Sequence, residues 1–261
     1  YSTRTIPKLV GGYDERSRDL AVALYGAAVD TVVAVSSTQV AEMAKLFENI
    51  FRGVNIALVN EMKIILDRMG IDVWEVIRAA NTKPFGFMAF WPGPGLGGHC
   101  IPLDPFYFSW KAKEFGVITR FIELAGEINR SMPDYVVSKV QDCLNEHGKP
   151  LKGSRILILG LAYKANLDDM RESPSLVLME LLEKKGAIVE FNDPYVPVIP
   201  ASREHAALTG RISKPIAAGY DCFLISTAHQ DYQPAAILAC GVPVVDTRNL
   251  LPRHTGRVYP A

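Results

Sequence analysis

The stretch SRILILGLAY, residues 154–163, decides the fold of the second half of the chain. Its apolar run is continuous rather than alternating, which is typical of a strand buried on both faces of a parallel sheet. Gly160 follows the run and permits a tight turn where the strand ends. We therefore predict that this strand opens an α/β sheet, with Gly160 at the sheet's carboxyl edge.

Downstream of this strand, apolar segments alternate with segments of helical period. Strands are predicted at 187–193, 221–228 and 242–248, and helices at 173–186 and 234–241. Strands that alternate with helices form βαβ units and a parallel sheet. We therefore predict a Rossmann-like parallel α/β domain over residues 149–261.

Upstream of the strand the pattern is helical. Helices are predicted at 36–70, 71–81, 105–116 and 118–148, the third beginning at the Asp104–Pro105 pair. Before them, residues 1–35 hold only a short extended piece, a helical piece and a strand-like run. The fold class is therefore predicted as α/β overall, with an all-helical domain at 36–148 built on a long helix.

The composition of the chain argues against several classes of function. The chain has 261 residues, of which 49% are hydrophobic and 21% charged, with a formal net charge of zero. Zero net charge argues against an electrostatic grip on nucleic acid or an anionic membrane, and no apolar run reaches the roughly 18 residues of a membrane span. Four dispersed cysteines without a CxxC pair predict no metal site and fit reduced thiols in a cytoplasmic protein.

The loop WPGPGLGGHCIPLDP, residues 91–105, surrounds Cys100 with four glycines and four prolines. A free cysteine is usually a small buried hydrophobe, and this is our interpretation of the other three: Cys143, Cys222 and Cys240. Cys100 differs, because the glycines let a ligand approach and a helix begins nearby, a setting that favours the reactive thiolate. Cys100 is therefore a candidate nucleophile, and Asp104 could hold a water or a proton in the same pocket.

Two sets of polar residues point to ligand binding. On the long helix, Lys45, Asn49 and Arg52 are spaced by four and three residues and share one face; that face is either a solvated stripe or the wall of an enclosed site. In the α/β domain, the basic residues after the strands converge on one edge of the sheet, where phosphorylated ligands bind. These residues are Lys164, Arg171 and Arg248.

Taken together, the motifs resemble the UDP-glucose/GDP-mannose dehydrogenase family. The matching segments are AEMAKLFEN (41–49), GPGLGGHCIPLDP (93–105), LGLAYKANLDDMRESP (159–174), FNDP (191–194) and VVDTRNLL (244–251). The resemblance is closest to the branch acting on UDP-N-acetylglucosamine. Leu103 and His99 stand where the UDP-glucose branch commonly has lysine and serine.

The resemblance implies oxidation of the sugar C6 alcohol to a carboxylate with two NAD⁺. Cys100 would attack the intermediate aldehyde to give a thiohemiacetal and then a thioester, which water hydrolyses. Lys45 and Asn49 would stabilise the developing negative charge, and Asp104 would orient the lysine or the water.

The resemblance also assigns binding residues. The side of the site that contacts the sugar nucleotide would be formed by Arg52, Phe85, Phe87 and Gly97. Phosphates or sugar would be held by Lys164, Arg171 and Arg248. The long helix would be the spine of a homodimer. An acidic N-acetyl sugar also suggests a role in surface polysaccharide synthesis.

The chain departs from the family in one respect. The family begins with a dinucleotide-binding domain that carries GxGxxG, and residues 1–35 resemble only a remnant of it. We therefore expect the NAD site to lie in that domain and these 261 residues to be inactive alone.

Three alternatives remain open: a UDP-glucose 6-dehydrogenase, a UDP-N-acetylmannosamine 6-dehydrogenase, and a non-catalytic nucleotide-sugar-binding dimerisation module. Retention of the four candidate catalytic residues favours an enzyme, because a binding module needs no nucleophile.

Overall fold

The structure of the chain, a computed structural model, describes residues 2–253 and 256–261. The chain divides into two compact units, the first ending at Arg52 and the second beginning at Gly53. This division differs from the predicted domain boundaries after residues 35 and 148, which stay predictions.

The first unit contains a β-α-β arrangement. Strands β1 (Lys8–Val10) and β2 (Val32–Ala34) pair in parallel, and helix α1 (Glu15–Gly26) lies between them in sequence. The Asp14 carboxylate accepts a hydrogen bond from the Ser17 backbone N–H at 2.7 Å, and the Ser17 hydroxyl accepts one from the Asp14 N–H. This reciprocal capping box fixes the start of α1. The extended piece, the helix and the strand predicted here are confirmed.

Helix α2 (Thr38–Arg68) confirms the long helix predicted at 36–70. Its 31 residues extend about 46 Å at 1.5 Å per residue, and the boundary between the units falls within it. Three further helices follow in the second unit: α3 (Val73–Ala80), α4 (Cys100–Lys113) and α5 (Arg120–Glu146). Within the described ranges, no helix is long and apolar enough to cross a membrane.

The start of α4 corrects the sequence prediction. The helix begins at Cys100, one turn before the predicted Asp104–Pro105 start, so that Pro105 lies inside it. His99 occupies the N-cap position with helical dihedral angles (φ −74°, ψ −45°) and makes no side-chain capping bond. The sequence therefore carries no capping signal at the true start, whereas Asp-Pro imitates one.

The predicted parallel sheet is confirmed. Its strands are β3 (Arg155–Leu159), β4 (Ile188–Asn192), β5 (Cys222–Ile225), β6 (Val244–Asp246) and β7 (Val258–Pro260). They lie in the order β4-β3-β5-β6-β7, all parallel. The connections include α6 (Pro174–Lys184), a 3₁₀ turn (Ala206–Leu208) and α7 (Pro234–Ala239). Strand β7 and the 3₁₀ turn were not predicted, because three residues are too few to show a period.

Alternate residues of β3 contribute to two different cores. Ile156 and Ile158 belong to a cluster with residues of α5 and α6, while Leu157 and Leu159 belong to a cluster that includes Ile237 of α7. These four side chains are completely buried, and only Arg155 at the start of β3 is exposed. The apolar run at residues 156–159 is continuous because helices cover both faces of the strand.

The strand order creates a crevice at one edge of the sheet. From β3 the chain proceeds to β4 on one side and then to β5 on the other side of β3. Open α/β sheets bind ligands at the carboxyl ends of the strands where the order reverses in this way. In this chain that point lies at the ends of β3 and β5, next to Gly160.

Candidate functional site

The glycine loop (residues 93–98) packs closely on the loop that joins β3 to α6. The Gly98 N–H donates to the Arg171 carbonyl oxygen at 2.9 Å. A Cβ atom at Gly97 would lie 2.5 Å from Tyr163 Cβ and 3.0 Å from the Glu172 carbonyl oxygen. Such distances leave no room for a side chain, so Gly97 is required by contact with protein. The predicted contact of Gly97 with the sugar nucleotide stays a prediction.

Two buried asparagines hold the start of the glycine loop. The Gly93 N–H donates to Asn60 Oδ1 at 3.0 Å, and Asn60 Nδ2 donates to Asn129 Oδ1 at 2.9 Å. Asn129 Nδ2 in turn donates to the Gly53 carbonyl oxygen at 3.0 Å. Both amides are buried, so these bonds satisfy groups that burial would otherwise leave unpaired. Sequence reasoning missed both residues, although an asparagine within an apolar helix is a usable signal.

Cys100 is the first residue of α4, and its thiol is exposed. The first turn of a helix has backbone N–H groups without helical partners, which favour a negative charge. Asp104 lies four residues later on the same helix and therefore on the same face. By contrast, Cys143 and Cys222 are completely buried with their sulfurs 4.0 Å apart, and Cys240 is half-buried. The packing role predicted for Cys143 and Cys222 is confirmed.

Arg171 is a charged residue of the β3–α6 loop, and its backbone carbonyl oxygen contacts the glycine loop. Its guanidinium binds both carboxylate oxygens of Asp169, with Arg171 Nε 3.0 Å from Asp169 Oδ1 and Arg171 Nη2 2.6 Å from Asp169 Oδ2. This pairing raises the pKa of Arg171, and Tyr163 and Cys100 act in the same direction. Hydrogen bonding from Arg171 holds the pKa of Asp169 below its usual range. Arg171 therefore stands within electrostatic range of the candidate nucleophile.

Arg248 links the sheet edge to the glycine loop. It follows β6, and its Nε donates to the Ser226 carbonyl oxygen at 2.7 Å. A Cβ at Gly93 would lie 2.5 Å from Arg248 Nη1, so the guanidinium packs on bare glycine backbone. Burial lowers the pKa of Arg248 to about 10, against the opposing effect of Asp246. The side chain therefore keeps its positive charge at neutral pH.

Lys164 projects from the β3–α6 loop, where it is exposed. The structure thus brings Gly97, Arg171 and Arg248 together around the glycine loop, with Lys164 on the adjoining loop.

Asp193 and His229 are buried at the same edge, after β4 and β5, and sequence reasoning missed them as site residues. Burial raises the pKa of Asp193, but bonds from His229 and from backbone N–H groups outweigh it and hold the pKa below its usual range. A polar residue directly after an apolar strand, as in the FNDP segment, is the signal that finds Asp193.

Three predicted residues lie on α2 in the first unit. Asn49 is completely buried and accepts a hydrogen bond from the Arg52 guanidinium, which confirms that these two share a face. Lys45 is exposed and pairs with Glu48 at 3.0 Å, so the solvated interpretation fits Lys45 and not Asn49. Arg52 Nε is buried without a hydrogen-bond partner among the described residues. A buried guanidinium N–H of this kind calls for an acceptor.

Phe85 and Phe87 lie on the segment between α3 and the glycine loop. Phe85 is 70% exposed and Phe87 is 42% exposed. The Lys83 ammonium lies 4.9 Å from the centroid of the Phe85 ring. Their contact with a sugar nucleotide stays a prediction.

The two glycines that follow β1 do not form a dinucleotide-binding turn. A Cβ at Gly11 would lie 2.1 Å from the Ser37 carbonyl oxygen, and one at Gly12 would lie 2.4 Å from the Arg18 nitrogen. Both glycines therefore serve contacts with protein, and no GxGxxG fingerprint precedes α1. Within residues 2–253 and 256–261, no three His, Cys, Asp or Glu side chains form a group suited to a metal ion.

Sequence profiles of one protein family match most of the chain. The profile described as UDP-glucose/GDP-mannose dehydrogenase family, central domain, matches residues 39–131. The profile described as UDP-glucose/GDP-mannose dehydrogenase family, UDP binding domain, matches residues 157–253. The segment between the two matches, residues 132–156, contains the second half of α5 and the first two residues of β3.

Individual proteins agree with the profiles. A UDP-N-acetyl-D-mannosamine dehydrogenase of Methanococcus maripaludis is 35% identical over 87% of this chain and 50% of its own length. A UDP-N-acetyl-D-glucosamine 6-dehydrogenase of Pseudomonas aeruginosa is 34% identical over 88% of this chain and 54% of its own. The solved structure of a UDP-D-ManNAc dehydrogenase from Pyrococcus horikoshii is 31% identical, with a TM-score of 0.83 over 98% of this chain and 60% of that one. The chain spans about half the length of the curated relatives it matches.

Proposed function

Because the chain belongs to the UDP-glucose/GDP-mannose dehydrogenase family, we propose that it is the nucleotide-binding and thiol-bearing part of a UDP-sugar 6-dehydrogenase. The whole protein oxidises the C6 alcohol of a UDP-N-acetylhexosamine to the uronic acid. One observation carries the proposal: the glycine loop that leads into Cys100 packs on the β3–α6 loop, at the ligand-binding edge of the sheet. The thiol and the nucleotide site are thereby joined within one unit.

The substrate we propose is an N-acetylated sugar nucleotide. UDP-N-acetylglucosamine, the sugar favoured by sequence, and UDP-N-acetylmannosamine are equally supported, since relatives named for each match to similar extents. The two sugars differ in configuration at C2, away from the reacting C6 atom. Leu103 and His99 count against UDP-glucose, because the UDP-glucose branch of the family that the chain resembles commonly has lysine and serine at these positions.

The chemistry that we assign to this chain is addition of a thiol to a carbonyl. Cys100 Sγ adds to the C6 aldehyde carbon, and water later cleaves the thioester to release the carboxylate. Asp104, on the same helix face, orients the water or the lysine. The resemblance to the family further assigns stabilisation of the negative charge on the C6 oxygen to Lys45 and Asn49, and contact with the sugar nucleotide to Arg52.

NAD⁺ accepts the hydrides in the proposed reaction and thereby drives the oxidation. Its binding site is assigned to residues outside this chain, because the glycines after β1 are filled by contacts with protein. The residues of the chain bind and orient the sugar nucleotide and supply the thiol.

Binding of UDP by the chain itself tests the nucleotide site. We expect isothermal titration calorimetry to detect UDP binding, and Lys164→Ala to weaken it about 10- to 100-fold, because an ammonium–phosphate bond contributes roughly 1.5–3 kcal/mol. Lys184→Ala is the control, since that exposed lysine ends α6 at the opposite edge of the sheet. No measurable UDP binding by the unaltered chain would contradict the proposed function.

The partner we propose is a second copy of this chain, paired through α2. The second half of this helix leaves Leu58, Met62 and Ile65 exposed, and the exposed Met69 follows directly after the helix ends at Arg68. Their spacing of four, three and four residues places them along one side, as in helices that pair. A row of large apolar side chains on an exposed helix face is typical of a surface that another protein chain covers.

Sedimentation equilibrium tests this pairing. We expect the unaltered chain to sediment as a dimer and Leu58→Glu as a monomer, because the new carboxylate would be buried without a partner. Lys185→Glu, at an exposed position beyond α6, should leave the dimer intact. A monomeric unaltered chain, or a dimer that persists in Leu58→Glu, would refute pairing through this face.

A further inference from the structure

The β3–α6 loop is held at its first residues by side chains from neighbouring strand ends. The N–H groups of Leu161 and Ala162 donate to Asp193 Oδ2 at 2.6 Å and 3.0 Å. The Ala162 carbonyl oxygen accepts from Thr227 Oγ1 at 2.6 Å. The backbone here has left the sheet, so these side chains replace the hydrogen bonds that a strand neighbour would have supplied.

The same loop is held again at Asn166, by His229. The Asn166 N–H donates to His229 Nδ1 at 3.0 Å, and Asn166 Oδ1 accepts from the Gln230 N–H at 2.9 Å. Asn166 has a positive φ of 64°, a conformation that asparagine tolerates when its side chain is bonded locally. The second anchor therefore fixes an otherwise costly turn.

His229 connects the two anchors. Because its Nδ1 accepts a hydrogen bond, the ring proton is on Nε2, which donates to Asp193 Oδ2 at 3.0 Å. The ring is 1% exposed and lies between Tyr195, with centroids 5.0 Å apart, and Tyr232, with centroids 5.5 Å apart. The imidazole is thus a fixed link between the Asp193 carboxylate and the Asn166 backbone.

Lys164 is placed midway between these anchors, two residues after Ala162 and two before Asn166. We propose that Asp193 and His229 are positioning residues, which hold the loop backbone so that Lys164 meets the diphosphate of the nucleotide. The inference rests on the proposed function. It adds that the affinity for phosphate depends on two buried acceptors, Asp193 Oδ2 and His229 Nδ1, which hold the loop backbone and do not touch the ligand themselves.

Two substitutions at position 229 can each keep one of the two hydrogen bonds that the His229 ring makes. Asparagine places an oxygen near the position of Nδ1 and can still accept from Asn166 N–H. Glutamine places an amide nitrogen near the position of Nε2 and can donate to Asp193, but it leaves the Asn166 N–H without an acceptor. We expect His229→Gln to weaken UDP binding about 10-fold and His229→Asn to weaken it less than about 3-fold.

A double-mutant cycle with Lys164→Ala distinguishes positioning from a general loss of structure. If His229 acts through Lys164, His229→Gln should weaken UDP binding less than about 2-fold further once Lys164 is alanine. Hydrogen exchange should show the Asn166 amide losing protection in His229→Gln and keeping it in His229→Asn.

Three results would overturn the inference. They are additive losses in the cycle, failure of His229→Asn to preserve binding, and unchanged Asn166 protection in His229→Gln. Absence of UDP binding by the unaltered chain would overturn the proposed function and this inference together, whereas additive losses would overturn this inference alone.

Discussion

Replacement of Cys100 by alanine will reduce formation of the uronic acid by about 10³-fold or more. In the reaction that we propose, addition of the thiolate to the aldehyde makes the tetrahedral carbon that is oxidised to a thioester, and alanine offers no atom for that bond. The reaction should therefore stop at the aldehyde. The measurement is mass spectrometry of the sugar products, in a protein that joins this chain to a dinucleotide-binding domain.

The control for this prediction is Cys240→Ala, which removes a half-buried thiol that follows α7. Its acid formation should match that of the unaltered protein, within the experimental error. Acid formation at full rate by Cys100→Ala would refute the assignment of the nucleophile. If Cys100→Ala bound UDP normally and the unaltered joined protein made neither aldehyde nor acid, the non-catalytic binding module would become the better account.

Replacement of Gly160 by alanine will destabilise the second unit by about 3 kcal/mol. Gly160 has a φ of 85°, and a Cβ there would lie 2.3 Å from the Thr227 carbonyl oxygen. The substitution therefore combines the cost of a left-handed conformation for an L-residue with a backbone clash at the crevice. Urea denaturation followed by circular dichroism measures the change in the free energy of unfolding.

Gly153→Ala is the matched control. Gly153 has nearly the same φ, 84°, but no heavy atom lies within 4 Å of the position its Cβ would take. Gly153→Ala should therefore lower the free energy of unfolding only by the cost of the left-handed conformation, about 1–2 kcal/mol. Equal losses in the two variants would mean that β3 and β5 separate easily at Gly160, contrary to the close approach described.

Most of the fold follows from period and run length. The long helix and the strands β3 to β6 were predicted because each has enough residues to display a period or a continuous apolar run. Strand β7 escaped because Val258–Pro260 has only three residues. The start of α4 was misplaced because Asp104–Pro105 imitates a capping pair, while the true N-cap, His99, makes no side-chain bond.

The site was less accessible to sequence reasoning. Chemically distinctive residues such as Cys100 and Arg248 attract attention by type and by place. Asn60, Asn129 and His229 did not, since their importance lies in which backbone groups they meet from far along the chain. Such partners depend on the packing of several elements, and no local pattern encodes them.

The close packing of the glycine loop on the β3–α6 loop limits which parts of the chain can be exchanged with a relative. Family profiles divide the chain into two domains, which invites recombination between relatives at the α5–β3 junction. Yet Gly97 and Gly98 of one domain are moulded to Tyr163 and Arg171 of the other. Chimeras between relatives therefore have to inherit both loops from the same parent, as one block.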